Sequence, residues 1–316
     1  MVGVDIGGSN LRLALADMHG TVLGKWSAST KATSSPGMVV TQIAQGVDHL
    51  LKQSSASHES LLAIAAGVAG VTDGRTGTVV ATSYLRGWRD VPFQRLIESN
   101  FCVPAAVEND VRVAALGEHW MGAAQDSSDF VFLAIGTGIA AGVFANGSLI
   151  RGSNCTAGEV GYMYVPGISG EVAQPGAPGS LESILGGDGI REQWFKAGKT
   201  GAGSRHLTAT EIFHLAVSGD PTAKKILSRS AQLLAYAVYN ISLVLNSSLF
   251  VLGGGVGMSE PLCLATNQFL ERYNEPVRPK LMVSRLGHDA QLIGAIRLAL
   301  DTAESQAHLK APRLRS

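Results

Sequence analysis

The amino-acid sequence predicts an α/β protein built from a duplicated unit, and two observations carry that reading. Apolar strand-like runs alternate with helical patterns in both halves of the chain, as an α/β architecture requires. One local device also occurs twice. Val4-Asp5-Ile6-Gly7-Gly8-Ser9-Asn10 leads into the alternating run Leu11-Arg12-Leu13-Ala14-Leu15-Ala16 and a turn at Asp17-Met18-His19-Gly20. Phe130-Val131-Phe132-Leu133-Ala134-Ile135-Gly136-Thr137-Gly138 leads into Ile139-Ala140-Ala141-Gly142-Val143-Phe144 and a turn at Asn146-Gly147. Each copy reads as a strand, a tight glycine turn bearing a hydroxyl residue, a returning strand and a hairpin. One such hairpin per half predicts two related lobes, each presenting backbone N–H groups to an anion, which points to a phosphate donor.

Taken in order, the first lobe opens with strands at about residues 2–5, 11–17 and 22–27, where apolar residues run or alternate, followed by a helix over about 36–53. The apolar run 61–68 predicts a further strand, a helix follows Pro92, and 105–107 predicts a short strand. A helix over 111–120 leads toward the second lobe. There the pattern restarts, with strands near 130–135, 141–144 and 148–150 and helices across 182–197, 210–217 and 221–245. A strand at 249–252 meets Gly253-Gly254-Gly255, and a final helix at about 290–303 closes the pattern. The expected division is a small α/β lobe over 1–112 and a larger one over 113–289. The helix at about 290–304 is expected to pack back on the first lobe, and 305–316 to form a loose basic tail.

With 316 residues the chain is long enough for two domains with their own cores. Its 25 basic and 25 acidic residues cancel, so no electrostatic case exists for nucleic acid or a membrane surface as partner. Charged residues at 16% and hydrophobic ones at 46% describe a globular protein rather than a disordered one. Cys102, Cys155 and Cys263 are scattered and lack metal-ligand spacing, which fits a reducing cytosol. Met1 leads straight into a strand carrying Asp5, unlike a secretory leader, so a cytoplasmic location is expected. The Leu-, Val- and Ala-rich stretch 231–252 contains Gln232, Asn240, Ser242, Asn246, Ser247 and Ser248, and reads as a buried helix and strand rather than a membrane span.

Three constellations carry chemistry. Alone, Gly7-Gly8-Ser9 fits an ordinary hairpin turn. Against that, Asp5 stands where a carboxylate could hold Mg²⁺ through water, successive glycines let backbone approach phosphate oxygens, and the device recurs at Gly136-Thr137-Gly138. The cluster Gly253-Gly254-Gly255 ends another buried strand and could pass under a base or ribose. At Glu108-Asn109-Asp110 an apolar strand runs into a helix. The plain reading makes Asn109 or Asp110 a helix cap. The second makes Asp110 a general base toward a substrate hydroxyl, with Asn109 orienting the same substrate. Both fit a strand-to-helix junction, where α/β sheets place ligands. Third, Ala157-Gly158-Glu159-Val160-Gly161-Tyr162 and Gly179-Ser180-Leu181-Glu182 place two carboxylates on glycine-rich segments. They fit ordinary surface acids, or acceptors for the vicinal hydroxyls of a sugar.

Asp5-Ile6-Gly7-Gly8-Ser9-Asn10, Glu108-Asn109-Asp110 with Ala114-Ala115-Leu116-Gly117-Glu118 behind it, Ile135-Gly136-Thr137-Gly138, Ala157-Gly158-Glu159 and Gly253-Gly254-Gly255 occur in the order found in ROK-family sugar kinases, which this chain resembles over nearly its whole length. The resemblance implies a two-lobed actin-like/ribonuclease H-like ATPase fold, a duplicated βββαβαβα unit with a cleft between lobes. It implies ATP and Mg²⁺ as cofactors, a glucokinase-like phosphorylation of a hexose or N-acyl hexosamine at the 6-hydroxyl, and a homodimer. Asp110 would be the catalytic base. Asn109, Glu159, Glu182 and the Tyr162 position would face the sugar, with Gly67 from the Gly67-Val68-Ala69-Gly70 loop. Asp5, Gly7, Gly8, Ser9, Asn10, Gly136, Thr137 and Gly138 would serve the phosphates and metal, and Gly254 and Gly255 the adenosine.

The chain departs from the family on the sugar side. The family continues Gly-Glu-x-Gly with His and adds cysteines that bind structural zinc. Here Tyr162 stands at the His position, Ser180 at that of the last cysteine, and no cysteine occurs between Met163 and Glu182. Tetrahedral zinc needs such thiolates and imidazoles, so no zinc is expected. Tyr84-Leu85-Arg86-Gly87-Trp88 also lacks the Asn often found there. A sugar-sensing regulator of the same family is the alternative reading, disfavoured by the neutral charge and by a sequence that starts at the first strand without a helix-turn-helix. A sugar-binding protein without turnover and a kinase using polyphosphate are further alternatives.

Overall fold

A computed structural model describes residues 1–30, 35–165, 178–198, 207–273 and 278–310. The chain divides into two compact units: Met1–Met121 with Arg151–Thr156 and the chain from Asp289 onward, and Gly122–Ile150 with Ala157–His288.

The first unit is ordered as β1 (Val2–Ile6), β2 (Asn10–Ala16), β3 (Val22–Ser29), α1 (Pro36–Gln53), β4 (Ile64–Val68), β5 (Val71–Asp73), β6 (Thr78–Ala81), β7 (Arg89–Val91), α2 (Phe93–Phe101), β8 (Ala105–Asn109) and α3 (Asp110–Met121). Its main sheet runs β3-β2-β1-β4-β8. β1 pairs antiparallel with β2 and parallel with β4, which pairs parallel with β8. Asp5, Gly67 and Glu108 therefore stand in one row across three strands. β1 and β4 are buried at every position, which explains why they read as unbroken apolar runs: parallel strands are covered on both faces. Val2, Val4 and Ile6 pack with α1 residues such as Ile43, Val47 and Leu50.

The second unit contains β9 (Phe130–Ile135), β10 (Ile139–Ala145), β11 (Ser148–Ile150), α4 (Glu182–Leu185), α5 (Gly187–Lys196), α6 (Ala209–Val217), α7 (Pro221–Leu245), β12 (Leu249–Gly253), α8 (Gly254–Gly257), α9 (Glu260–Leu270) and β13 (Lys280–Val283). Its sheet runs β11-β10-β9-β12-β13, with an antiparallel hairpin at β9–β10 and parallel pairs β9–β12 and β12–β13. Both sheets thus share one topology, third-second-first-fourth-last, as a duplicated unit requires. The β5-β6-β7 sheet is an insertion in the first copy.

The last helix, α10 (Ala290–Lys310), belongs to the first unit. Leu292, Ile296, Ala299 and Leu300 pack on Met1, Ala14, Ala63 and Ala65. Gly3 allows this approach, because a Cβ there would lie 2.8 Å from the Ile296 amide nitrogen. α10 crosses α3 at Gly294 and Gly117: a Cβ on Gly294 would overlap the Val113 carbonyl oxygen, and one on Gly117 would overlap that of Ala290.

Several expectations need correction. A boundary after residue 112 would cut α3, which runs unbroken to Met121 inside the first unit. The tail expected from 305 is helical through Lys310, and residues 311–316 lie outside the described residues. One helix over 182–197 is two, broken at Gly186, whose extended ψ of 157° ends α4. β5, β6, β7, α9 and β13 have no counterpart in the sequence reading: the strands are three or four residues long, too short to display alternation. The stretch 231–252 is the end of α7 followed by β12, and no helix among the described residues is long and apolar enough to cross a membrane.

The helix crossing makes a prediction. Intrinsic propensity alone would make Gly294→Ala stabilising by about 1 kcal/mol. The overlap with backbone should reverse the sign, to a loss of about 2 kcal/mol or more by urea denaturation.

Candidate active site

The predicted residues of the first unit collect at the carboxyl edge of β1, β4 and β8. The turn after β1 is closed by the Gly7 N–H donating to the Asn10 carbonyl (2.9 Å). Thr30, buried just after β3, completes it from the side: its hydroxyl donates to the Gly7 carbonyl (2.9 Å) and its N–H to the Ser9 carbonyl (3.1 Å). Ser9 and Asn10 are exposed. Gly8 lies against Tyr84, where a Cβ would stand 3.1 Å from the Tyr84 Cβ. Neither Thr30 nor Tyr84 was assigned a role from sequence, since each reaches the turn only through the fold.

Asp5 is buried beside this turn and pairs with Arg12, its cross-strand neighbour, through Nε (2.8 Å) and Nη2 (2.6 Å), both on Oδ2. Burial pushes the Asp5 carboxyl above the usual carboxylate range, and the guanidinium draws it part of the way back. Magnesium accompanying a nucleotide keeps several waters and takes one or two carboxylates plus phosphate oxygens. Asp5, already neutralised on one oxygen, fits a water-mediated role rather than a direct bond. Among the described residues no three His, Cys, Asp or Glu side chains cluster as a protein-only metal cage.

At the junction of β8 and α3, Asn109 is buried and fully engaged. Its Nδ2 donates to the Gly70 carbonyl (2.9 Å) and to Asp110 Oδ1 (3.1 Å). Its Oδ1 accepts from the Val111 N–H (3.0 Å) and the Arg112 N–H (3.1 Å). Two donors and two acceptor positions are the whole capacity of a carboxamide. Asn109 is thus the helix cap, and its amide also holds Asp110. Asp110 opens α3 half-buried, and its Oδ1 also accepts from the Val111 N–H (2.9 Å). Gly67 lies mid-strand with its backbone in ladders on both sides. Its missing side chain leaves room for α3, since a Cβ would stand 3.4 Å from the Asp110 Cα.

The second unit gathers its own set at the carboxyl edge of β9 and β12. The Gly136 N–H donates to the Gly138 carbonyl (2.9 Å), and the Gly187 N–H, opening α5, donates to the Gly136 carbonyl (2.8 Å). This bond explains the break at Gly186, where a Cβ would lie 2.7 Å from the Thr137 carbonyl oxygen. Thr137 is exposed. Gly254, at φ 77°, passes close over Ile135, while a Cβ at Gly136 or Gly255 would meet nothing within 4 Å. Such bare, open backbone suits a phosphate or nucleoside lying against it.

Glu159, Tyr162 and Glu182 are also brought together. Glu182 Oε2 accepts from the Ile139 N–H (2.8 Å) at the start of β10, the Gly158 carbonyl accepts from the Ala141 N–H (2.7 Å), and Gly179 packs on Gly161 so closely that a Cβ would overlap its carbonyl oxygen. Glu159 precedes the 3-10 turn Val160–Tyr162, on which Tyr162 is half-exposed. Most of the Pro- and Gly-rich stretch 165–179 lies outside the described residues.

A sequence model of the ROK family matches residues 1–302. The chain belongs to the ROK family. It is 30% identical over 306 residues to a glucokinase of Halalkalibacterium halodurans, covering 93% of this chain and 92% of that protein. The ROK hexokinase of Thermus thermophilus superposes with a TM-score of 0.78 at 27% identity, over 96% of this chain and 99% of the other. A ROK family glucokinase from Streptomyces griseus, in complex with glucose and AMPPNP, shares the fold with a TM-score of 0.76 at 24% identity, over 95% of this chain and 99% of that one. This ROK chain therefore has the actin-like ATPase fold.

The Asp5–Arg12 pair makes a prediction with a pH signature. Arg12→Met strips a buried carboxylate of its counter-ion, for an expected loss of about 3 kcal/mol at neutral pH. Without Arg12 the folded-state pKa of Asp5 rises further above its unfolded value. The penalty is therefore full above the folded pKa and shrinks as pH falls toward about 4 and Asp5 takes a proton. Urea denaturation at both pH values checks this, and a loss equal at both would mean that Arg12 acts through packing alone.

Proposed function

We propose that this ROK chain transfers the γ-phosphoryl group of ATP to a hydroxyl of a hexose or N-acyl hexosamine, the 6-hydroxyl being the expected acceptor, with Asp110 as general base. The chain is a carbohydrate kinase, and the named glucokinase and hexokinase relatives support that class.

The observation that carries the finer reading is the junction at Asn109 and Asp110. One oxygen of the Asp110 carboxylate is held by the Val111 N–H and the Asn109 amide, so the group is fixed in direction before any substrate arrives. In the proposed reaction the acceptor hydroxyl attacks phosphorus while Asp110 takes its proton, the bond from phosphorus to ADP breaks, and the proton later passes to solvent. Phosphoryl transfer needs little covalent help from protein, so positioning and charge neutralisation account for most of the catalysis.

The turns at residues 7–10 and 136–138 serve the phosphates with backbone N–H groups and the hydroxyls of Ser9 and Thr137. Gly254 and Gly255 serve the adenosine side. Mg²⁺, held through water by Asp5, would neutralise phosphate charge when bound with the nucleotide. Glu159 and Tyr162 face the sugar, and Glu182 fixes the start of β10 with one oxygen while serving the same segment.

A phosphorylation assay across glucose, mannose, fructose, N-acetylglucosamine and N-acetylmannosamine, with ATP and with polyphosphate, tests the reading. ATP-dependent formation of a 6-phosphate is expected for at least one sugar, identified by phosphorus NMR. Asp110→Asn should lower kcat/KM by ~10²–10⁴ with the fold intact by circular dichroism. Activity surviving within about tenfold would remove Asp110 from the role of base.

A further inference from the structure

Directly behind the junction lies an ion cluster that the proposed reaction does not use. Glu108, the residue before Asn109, is buried, and so is Arg112 in the first turn of α3. Arg112 Nη1 pairs with Glu108 Oε1 at 2.8 Å, and Arg151 Nε pairs with Glu108 Oε2 at 2.5 Å. Arg112 further donates to the Thr72 carbonyl (3.2 Å) and to the Cys155 carbonyl. One carboxylate thus ties β8 and α3 to the segment Arg151–Thr156. Gly74 leaves room for it, since a side chain there would overlap the Glu108 carboxylate and stand 2.9 Å from Arg151 Nε.

We propose that Glu108, Arg112 and Arg151 form a positioning device for the general base, a proposal that rests on the assignment of Asp110 as base. The connection is a chain of hydrogen bonds. Glu108 Oε1 accepts from the Asn109 N–H (2.9 Å), which fixes the Asn109 backbone, and the Asn109 amide in turn holds Asp110 Oδ1. The two guanidiniums hold the carboxylate from opposite oxygens, so it cannot rotate away from that N–H.

Stability alone does not account for this cluster. Arg112 Nε is buried without a hydrogen-bond partner. Buried ion clusters are often replaced by apolar residues of similar volume with no loss of stability. A guanidinium retained with one donor unsatisfied is explained by what its other donors hold. Misplacement of a catalytic group by about 1 Å can cost on the order of 10²-fold in rate.

The experiment compares Arg112→Met, Arg112→Lys, Arg151→Gln and Asp110→Asn, measuring kcat per folded molecule, KM for sugar and for ATP, and thermal stability. Arg112→Met should lower kcat by about ten- to a hundredfold while KM for ATP stays within about twofold. Arg112→Lys, which keeps the charge, should recover part of the loss. Arg151→Gln, at the partly exposed end of the cluster, should lower kcat by about threefold to tenfold and serves as the deciding variant if Arg112→Met does not fold. A cluster that only stabilised the fold would lower the melting temperature and leave kcat per folded molecule unchanged. That result, with Asp110→Asn inactive, overturns the positioning role alone. Retained activity in Asp110→Asn overturns the base assignment and the positioning role with it.

Discussion

Both units depend on one constraint: a parallel pair of strands sits at the centre of each sheet, β1 and β4 in one and β9 and β12 in the other, and these strands are buried almost throughout. A strand covered on both faces leaves little water to complete the backbone where its ladder stops, so the protein must supply partners for buried N–H and C=O groups there. Both units use the same means. A glycine turn closes on itself, Gly7 onto Asn10 and Gly136 onto Gly138, and a helix begins at the same edge. The glycine turns and the Asn109-Asp110 junction are attached to these endings, which is why they gather at one edge of each sheet.

The charged groups at that edge show how a buried carboxylate is made tolerable. Asp5 and Glu108 each meet guanidiniums at hydrogen-bond distance, Asp5 one and Glu108 two. Leaving either carboxylate without its partner would leave a desolvated charge, the costly case among buried ions. Asp110 is held differently, by a backbone N–H and a carboxamide, and it lies only half-buried at the start of α3. That arrangement is in keeping with the base role proposed for it.

The two glycine turns and several helices were legible because their signals are local. Paired glycines beside alternating runs mark the two hairpins, and Pro36 and Pro221 mark helices whose observed extents, Pro36–Gln53 and Pro221–Leu245, match the expected ones. The cap was readable at Asn109-Asp110, and the geometry gives that role to Asn109. The contacts of Thr30 and Arg151 were not legible. Thr30 reaches the first turn across 23 residues, and Arg151 reaches Glu108 across 43. No spacing within a helix or strand announces such a pairing.

By itself, the sequence determined the α/β class, the duplicated hairpin, the ROK resemblance and the positions of the glycine turns, because these rest on backbone conformation and on periodicities of two and 3.6 that neighbouring residues set. The tertiary structure decided which polar groups engage one another across the fold. It brought the Asn109 amide onto Asp110, broke the helix at Gly186 to meet Gly136, and placed two arginines on Glu108. The physical reason is that hydrogen bonds and ion pairs join groups by proximity in space, and only packing brings distant parts of the chain to within 3 Å or so of one another.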